Sequence, residues 1–445
     1  MTARREEEGP AVVPARATQV GDVPERWSWT EPSVWTARML TALEEGVKGG
    51  QWFSLIDKVY SLRNLEASFR KVKARKGSAG VDHQTVEAYE ANLAGNLERL
   101  SAKLREGRYQ PQAVRRVWIP KPGKKEKRPL GIPTVRDRVV QGALLHVLEP
   151  IFEKDFAEHS YGFRPGRGCK DALRKVSRLL EAGHVWVVDA DIKSYFDTIP
   201  HEMLMERIGR KVSDGRVLEL IESFLNQDVM ESAKAWTPEE GTPQGAVMSP
   251  LLANIYLDPL DHLMEEAGYE MVRYADDFVI LCRSQAEAEE ALARVRDWMD
   301  QAGLKLHPEK TRIVDARERG GFDFLGYHFE RGYRWPSRKS EKKLKDAIRR
   351  KTRRANGLSL IAIIAELNPL LRGWYEYFKH SYKTTFGRLD GWMRMRLRSI
   401  LRKRRHGRGR GRGADHQRWP NAFFAEHGLF CLLTAYAQAS QSSRR

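Results

Sequence analysis

The 445-residue chain carries 77 Lys and Arg against 59 Asp and Glu, a net charge of +18 that points to a polyanionic partner. Its length suits two or three domains, its 41% hydrophobic residues allow a sizeable core, and no stretch approaches the ~18 consecutive apolar residues that a membrane-spanning helix needs. The cysteines, Cys169, Cys282 and Cys431, form no CxxC pair, which excludes a Cys-rich zinc module and a disulfide framework and fits a reducing cytosol.

The N-terminus, MTARREEEGP, has no apolar signal core, and residues 1–33 read as a flexible segment. Helical patterning occupies two segments over 34–73, and KGSAGVD (76–82) breaks it. Residues 86–106 read as helix, with Leu93, Leu97, Leu100 and Leu104 on one stripe. Residues 115–133 read as two short strands joined by a basic, Gly-containing loop, and 136–154 as another helix. WVVDADIKSYF (186–196) is a strand entering a turn, with Asp189 and Asp191 on one face and Trp186, Val188 and Ala190 on the other. GTPQGAVMSP (241–250) is a loop, with Ser249 as cap and Pro250 as first residue of the next helix. RYADDFVI (273–280) is a hairpin turning near 275–277, followed by a helix over 284–302 and by strands in LKLHPEKTRIV and FDFLGYHFE. Strands and helices mix without a regular βα repeat or a Gly-rich dinucleotide fingerprint, so the class is α+β.

Beyond 335 the pattern is helical. One helix over 358–368 ends before Pro369, and another begins there with Asn368 as its cap. Residues 338–356 hold ten basic groups and two acids, and 394–412 hold ten and none. HGRGRGRG (406–413) has the composition of a flexible cationic linker, and 414–445 form a short tail.

Asp276 and Asp277 sit side by side in an apolar stretch, where carboxylates are expensive to bury unless a cation meets them. Lys or Arg partners would serve, and so would a divalent metal. Pairing of this hairpin with the 186–191 strand would bring a third carboxylate to the same point. Three carboxylates holding two Mg²⁺ ions about 3.5–4 Å apart suit phosphoryl transfer. An adjacent Asp pair alone is more often an exposed turn; here the strand flanks favour the functional reading.

An ordered series of segments across 76–330 carries a resemblance: KGSAGVD, IPKPGKKEKRPLGIPTVRDRVVQ, SYGFRPGRGCKDAL, DADIKSYFDTIPH, GTPQGAVMSPLLANIYLD, RYADDF, GLKLHPEKT and FDFLGYHF. The chain resembles the reverse transcriptase/maturases encoded within bacterial group II introns. LNPLLRGWYEYFKH (367–380) resembles the maturase, or thumb, domain that separates this family from other reverse transcriptases. The resemblance implies a right-hand polymerase with fingers and palm over 34–330 built on an antiparallel sheet. An α-helical thumb/maturase domain over 335–405 and a basic linker with a short tail over 406–445 would follow. Only a single cysteine, Cys431, lies in those last 40 residues, so no HNH-type endonuclease domain is expected and insertion would borrow a primer such as a nascent strand. HQRWPNAFF (416–424) is a candidate remnant of a DNA-contacting segment.

By the same resemblance, Asp191, Asp276 and Asp277 are the catalytic metal ligands, for two Mg²⁺ ions with Mn²⁺ as a substitute. Phe196 would lie under the incoming sugar and exclude a 2′-hydroxyl. Lys121 and Arg128 would neutralise the triphosphate, with Lys124, Lys125 and Lys127 as alternative lysines. Gln244 would contact nucleotide and template, beside a Gly245 that lets backbone approach a base pair. Lys305 is either a proton donor to departing pyrophosphate or a surface lysine. Arg164 and Arg167 either face template or serve structure. His262, His307 and His328 show no ligand spacing and read as structural or surface groups.

The implied activity is RNA-directed DNA synthesis from dNTPs on a DNA primer, with assistance to splicing and mobility of the host intron RNA, in a bacterial cytoplasm and at the nucleoid when DNA is bound. The cationic clusters beyond 335 would grip RNA backbone. Two other readings stay open at this point: an RNA-binding splicing chaperone with an idle polymerase site, and a retron-type or other non-intron reverse transcriptase.

Overall fold

The computed structural model describes residues 25–120, 127–231, 234–242, 245–355 and 357–442. In chain order the strands among the described residues are β1 (Val114–Pro120), β2 (Lys127–Ile132), β3 (Trp186–Asp191), β4 (Val229–Glu231), β5 (Lys234–Trp236), β6 (Glu270–Tyr274), β7 (Asp277–Cys282), β8 (Arg312–Asp315), β9 (Phe322–Phe324), β10 (Tyr327–Glu330) and β11 (Tyr333–Pro336). The chain divides into two compact units: Met1–Lys175 with Ala190–Ile280 and Ala286–Arg312, and Val176–Asp189 with Leu281–Gln285 and Ile313–Arg445. No helix among the described residues is long and apolar enough to cross a membrane.

In the first unit, the basic hairpin forms as expected. β1 and β2 pair antiparallel, with Trp118 opposite Pro129 and Ile119 opposite Arg128. The sheet continues in the order β2-β1-β4-β5, and its β1–β4 pair is parallel, so this sheet is mixed rather than antiparallel throughout. A second sheet has the order β6-β7-β3-β8. The helix Val135–Glu153 is buried on nearly every side, with Val139, Val140, Ala143, Leu144, Val147 and Leu148 wholly inaccessible. It packs on Leu62–Ala74, where Ser68 Oγ donates to the Val139 carbonyl at 2.7 Å and Asn64 Nδ2 to the Ala143 carbonyl at 3.1 Å. A Cβ on Gly142 would stand 2.2 Å from Ser68 Oγ, so only glycine permits this helix–helix distance. Of the segment expected to be flexible, residues 1–24 lie outside the described residues. In the remainder Trp27 and Thr30 are buried and the Trp27 ring lies 5.9 Å from Trp29, because indoles of this size bury much apolar area, while Glu25, Arg26, Ser28, Pro32 and Ser33 stay exposed.

In the second unit, β11, β10 and β9 form an antiparallel sheet, followed by helices Arg338–Lys351, Leu360–Phe378 and Thr384–Arg404. The two helices expected around Pro369 are one continuous helix. Its cap is Ser359, whose Oγ accepts from Ala362 N at 3.1 Å. An interior proline costs roughly 3 kcal/mol; here Leu367 and Leu371 on either side are fully buried and hold the helix together. Asn368 does other work. Its Nδ2 donates to the Gly428 carbonyl at 2.8 Å and its Oδ1 accepts from Phe430 N at 2.9 Å.

Those bonds introduce a second difference. The pattern predicts a tail over 414–445, but Trp419, Phe424, Leu429 and Leu432 belong to the same core as Ile363, Leu371, Leu389 and Leu397. Arg398 Nε donates to the Trp419 carbonyl at 2.8 Å, and the buried Asp390 caps the helix Leu432–Ser442 by accepting from Leu432 N at 3.1 Å and Leu433 N at 3.0 Å. Within 416–424, Trp419 and Phe424 turn into this core and Phe423 packs against it, while His416, Gln417 and Arg418 stay exposed. At the helix that follows the GTPQG loop the shift is one residue: it spans Ser249–Glu266 with Met248 as cap, so Ser249 is the first helical residue and Pro250 the second.

Candidate active site

Asp276 lies in the turn between β6 and β7, and Asp277 opens β7. Between Tyr274 and Asp276 the backbone passes through Ala275 at φ 60°, a left-handed conformation that costs a non-glycine residue roughly 1–2 kcal/mol. What holds this turn is Arg273, which is fully buried. Its Nε donates to Asp261 Oδ1 at 2.7 Å, and its Nη2 pairs with the other oxygen of the same inaccessible carboxylate. Its Nη1 donates to Asn254 Oδ1 and to the Ala275 carbonyl, both at 3.0 Å. Burial disfavours the guanidinium charge, yet with the Asp261 carboxylate beside it the Arg273 guanidinium keeps its proton more firmly than usual. Asn254 Nδ2 in turn donates to the Gly162 carbonyl at 2.8 Å. A Cβ on Gly162 would meet Ala275 N at 2.3 Å, so the SYGFRPGRG loop lies directly against the turn.

Asp191 ends β3, the strand next to β7. Its carbonyl accepts from His307 N at 2.8 Å, Ile192 bridges Leu306, and Lys193 N donates to the Lys305 carbonyl at 2.8 Å. The GLKLHPEKT segment is thereby fastened alongside it, and Lys310 Nζ forms an ion pair with the Asp191 carboxylate. Asp276 feels the same neighbours. Burial raises its carboxyl above the ordinary range and the Asp191 charge raises it further, against a backbone hydrogen bond, Lys310 and Arg273. Asp191, Asp276 and Lys310 thus share one electrostatic environment, as the sequence pairing required. Among the described residues no three Asp, Glu, His or Cys side chains already stand together as a ligand set. The donors fit a hard divalent cation all the same: they are carboxylate oxygens, and the charge on Asp191 adds to burial in raising the Asp276 carboxyl.

Phe196 is half-buried in the short turn Tyr195–Asp197. Tyr195 anchors it by donating its phenol to the Ala253 carbonyl at 2.5 Å, and the two rings lie 5.5 Å apart. The Phe196 carbonyl accepts from Thr242 N at 2.6 Å, which ties the GTPQG loop to this turn. Gln244 itself lies outside the described residues, as does Lys121. The close approach expected at Gly245 is to protein: at φ 109°, its Cβ would stand 2.7 Å from the Gly131 carbonyl of β2. Arg128 is exposed on β2, and Lys305 is exposed, with its carbonyl accepting from Lys193 N.

Arg164 requires correction. Expected to face template or serve structure, it is buried, donates through Nε and Nη2 to Glu153 at 2.9 and 2.8 Å, and gives Nη1 to the Ser160 carbonyl at 2.9 Å. A guanidinium so occupied is structural. Arg167 is half-buried, bonded to the Glu158 carbonyl, with its guanidinium 5.9 Å from the Tyr161 ring. Sequence reasoning missed Arg273, Asn254, Asp261 and Lys310. The signal for Arg273 was present, an arginine between Val272 and Tyr274 inside a mostly apolar strand.

Residues 119–329 match the family profile "Reverse transcriptase (RNA-dependent DNA polymerase)", and residues 341–419 match "Group II intron, maturase-specific domain". "Protein YkfC" of Escherichia coli (strain K12) is 32% identical over 379 residues, 76% of this chain and 94% of that protein. "Group II intron-encoded protein LtrA" of Lactococcus lactis subsp. cremoris is 38% identical over 196 residues, 44% of this chain; the match spans 32% of LtrA. "Nuclear intron maturase 2, mitochondrial" of Arabidopsis thaliana is 29% identical over 231 residues, 43% of this chain and 31% of its own length.

Proposed function

The chain belongs to the group II intron reverse transcriptase/maturase family and is an RNA-directed DNA polymerase with a maturase domain, and we propose that Asp191, Asp276 and Asp277 form its catalytic centre. The observation that carries this reading is the pairing of β3, which ends at Asp191, beside β7, which follows the Asp276 turn, two segments far apart in sequence, with Lys310 in an ion pair with Asp191. The three carboxylates would hold two Mg²⁺ ions, with Mn²⁺ as a substitute. Bound there, divalent ions supply Lewis-acid stabilisation of the attacking and leaving oxygens of nucleotidyl transfer.

The protein's own groups prepare that site. Arg273 clamps the Ala275 carbonyl and so fixes the direction in which Asp276 points. Lys310 balances Asp191 and, in the loaded site, is free to turn toward a phosphate oxygen. Phe196 presents a half-buried ring suited to lie under the sugar of a dNTP and reject a 2′-hydroxyl. Arg128 and Lys121 are assigned to the triphosphate, Gln244 to the nucleotide and template, Lys305 to the departing pyrophosphate and Arg167 to the template. We assign fingers and palm to 34–330 and the thumb to 335–405, where exposed Arg338, Lys339, Lys342 and Lys343 suit RNA backbone. The substrates follow: a DNA primer, an RNA template, dNTPs and the host intron RNA, met in the bacterial cytoplasm.

The test is RNA-templated primer extension by the wild-type chain with Mg²⁺, with Mn²⁺ and with a chelator. Incorporation in either metal and none in chelator is expected. Incorporation that persists in chelator overturns the metal assignment.

A further inference from the structure

The second unit contains a cavity of about 390 Å³ that the polymerase chemistry does not use. Its walls come from the helix Cys169–Glu181 at Ser177 and Glu181, from the β10–β11 hairpin, and from the loop 380–382. Two of its lining aromatics are solvent-exposed, Tyr333 at 51% and Tyr382 at 37%, their centroids 4.8 Å apart at 64°. Trp335 stands edge-on to Tyr382 at 6.2 Å. Rings of this size that remain in water form a stacking platform in search of a flat partner.

The polar lining is equally particular. The Arg334 guanidinium is fixed by its bond to the His380 carbonyl at 2.8 Å and by a bond to Ser177 Oγ. Ser381 is 2% exposed and lines the cavity, with the Tyr327 phenol beside its hydroxyl. A hydroxyl both donates and accepts, so it can serve a ligand atom as well. Glu181 and Glu330 add carboxylate acceptors and Arg317 and Arg334 add guanidinium donors, so the lining carries both signs of charge. A flat group that offers both donors and acceptors along its edge satisfies this lining, and the volume, at the low end of ligand sites (roughly 300–1,000 Å³), admits one of them. The exposed lysines and arginines that begin the helix Arg338–Lys351, directly after β11, would meet the phosphates outside.

We propose that this cavity takes one unpaired nucleobase of a single-stranded nucleic acid, stacked on one of the Tyr333 and Tyr382 rings with the other against its edge, and read by Arg334, Ser381 and the two glutamates. The inference rests on the reading of the chain as a polymerase that binds RNA. It is tested with the full chain and short fluorescent oligouridine and oligothymidine, the two arms distinguishing an RNA from a DNA occupant. Replacing both tyrosines by alanine is expected to weaken binding of one oligomer by about 10-fold, the scale of a lost base–aromatic stack. Replacing both by phenylalanine keeps the stack and is expected to leave binding unchanged. In the wild type, a 4-thiouridine or 4-thiothymidine oligomer should photocrosslink to the 333–335 or 380–382 peptides. The polymerase reading is followed separately by extension of an annealed primer, which the alanine pair should perform at the wild-type rate. Equal binding by the alanine pair, an equal loss against heparin and abasic oligomers, or crosslinks that avoid these peptides overturns the proposal.

Discussion

Loss of Arg273 would break a buried ion pair and two further hydrogen bonds beside the Asp276 turn. Arg273→Met leaves the Asp261 carboxylate, itself inaccessible to solvent, without its ion-pair partner, and frees Asn254 and the Ala275 carbonyl. Removing one member of a buried pair costs about 3–5 kcal/mol, a large share of the roughly 5–15 kcal/mol that holds a typical domain. The single variant therefore mixes two effects, instability and a slackened turn. Asp261→Leu added to Arg273→Met separates them. With both charges gone the apolar pair should recover most of the stability, but nothing then holds Ala275 in its left-handed conformation. Relaxation of that strain, roughly 1–2 kcal/mol, would move Asp276 and slow extension by about 5- to 30-fold. The assays are urea unfolding and single-nucleotide extension on an RNA template. A double variant that recovers its unfolding midpoint and also extends at the wild-type rate refutes the clamp. So does an Arg273→Met protein as stable as wild type.

Arg164→Ala should destabilise the first unit by about 3–5 kcal/mol through the unpaired Glu153, while the salt dependence of RNA binding in the folded fraction stays unchanged; a shallower slope in a salt titration would return Arg164 to the template. A buried histidine and a half-buried glutamate on one helix oppose each other in acid. Burial pushes His146 down from 6.5 to about 4 and Glu149 up from 4.5 to about 7. Between about pH 7 and 4.5 the unfolded chain takes up the histidine proton more readily and stability falls, whereas the folded chain holds the glutamate proton more readily and stability rises. The wild-type profile should thus be nearly flat there, and Glu149→Gln should expose a loss of about 2 kcal/mol from pH 7.5 to 5, measured by denaturant titration; a profile as flat as wild type contradicts the pairing. Asn368→Ala cuts both bonds to the 428–430 segment and should cost about 1–2 kcal/mol in the second unit, with faster protease nicking between 405 and 432 as the readout and an unchanged cleavage rate as the refutation.

Much of this architecture can be read in the chain. Strict apolar periodicity marks the helix Leu93–Arg105 through Leu97, Leu100 and Leu104, and the β-branched and aromatic run after Asp277 marks β7, because in both cases one face must be buried. The catalytic turn is legible for the opposite reason: its two carboxylates violate the pattern around them. What escaped are effects that local pattern does not encode. Pro369 reads as a helix start, yet tertiary burial of Leu367 and Leu371 carries the helix through it. The Gly- and Arg-rich 406–413 stretch reads as a boundary, but Trp419 and Phe424 beyond it return to the core of the second unit. Arg164 and Arg273 look alike in sequence, a basic residue beside a conspicuous motif. Only their burial and partners show that one braces a loop and the other the turn of the active site.

The acidic centre is tested most directly by Asp276→Asn, an isosteric change that removes a charge without opening a cavity. In single-nucleotide extension of a DNA primer on an RNA template, with unfolding midpoints measured alongside, the variant should melt no lower than wild type and incorporate at least about 1,000-fold more slowly. A folded Asp276→Asn protein that incorporates at the wild-type rate would contradict the account.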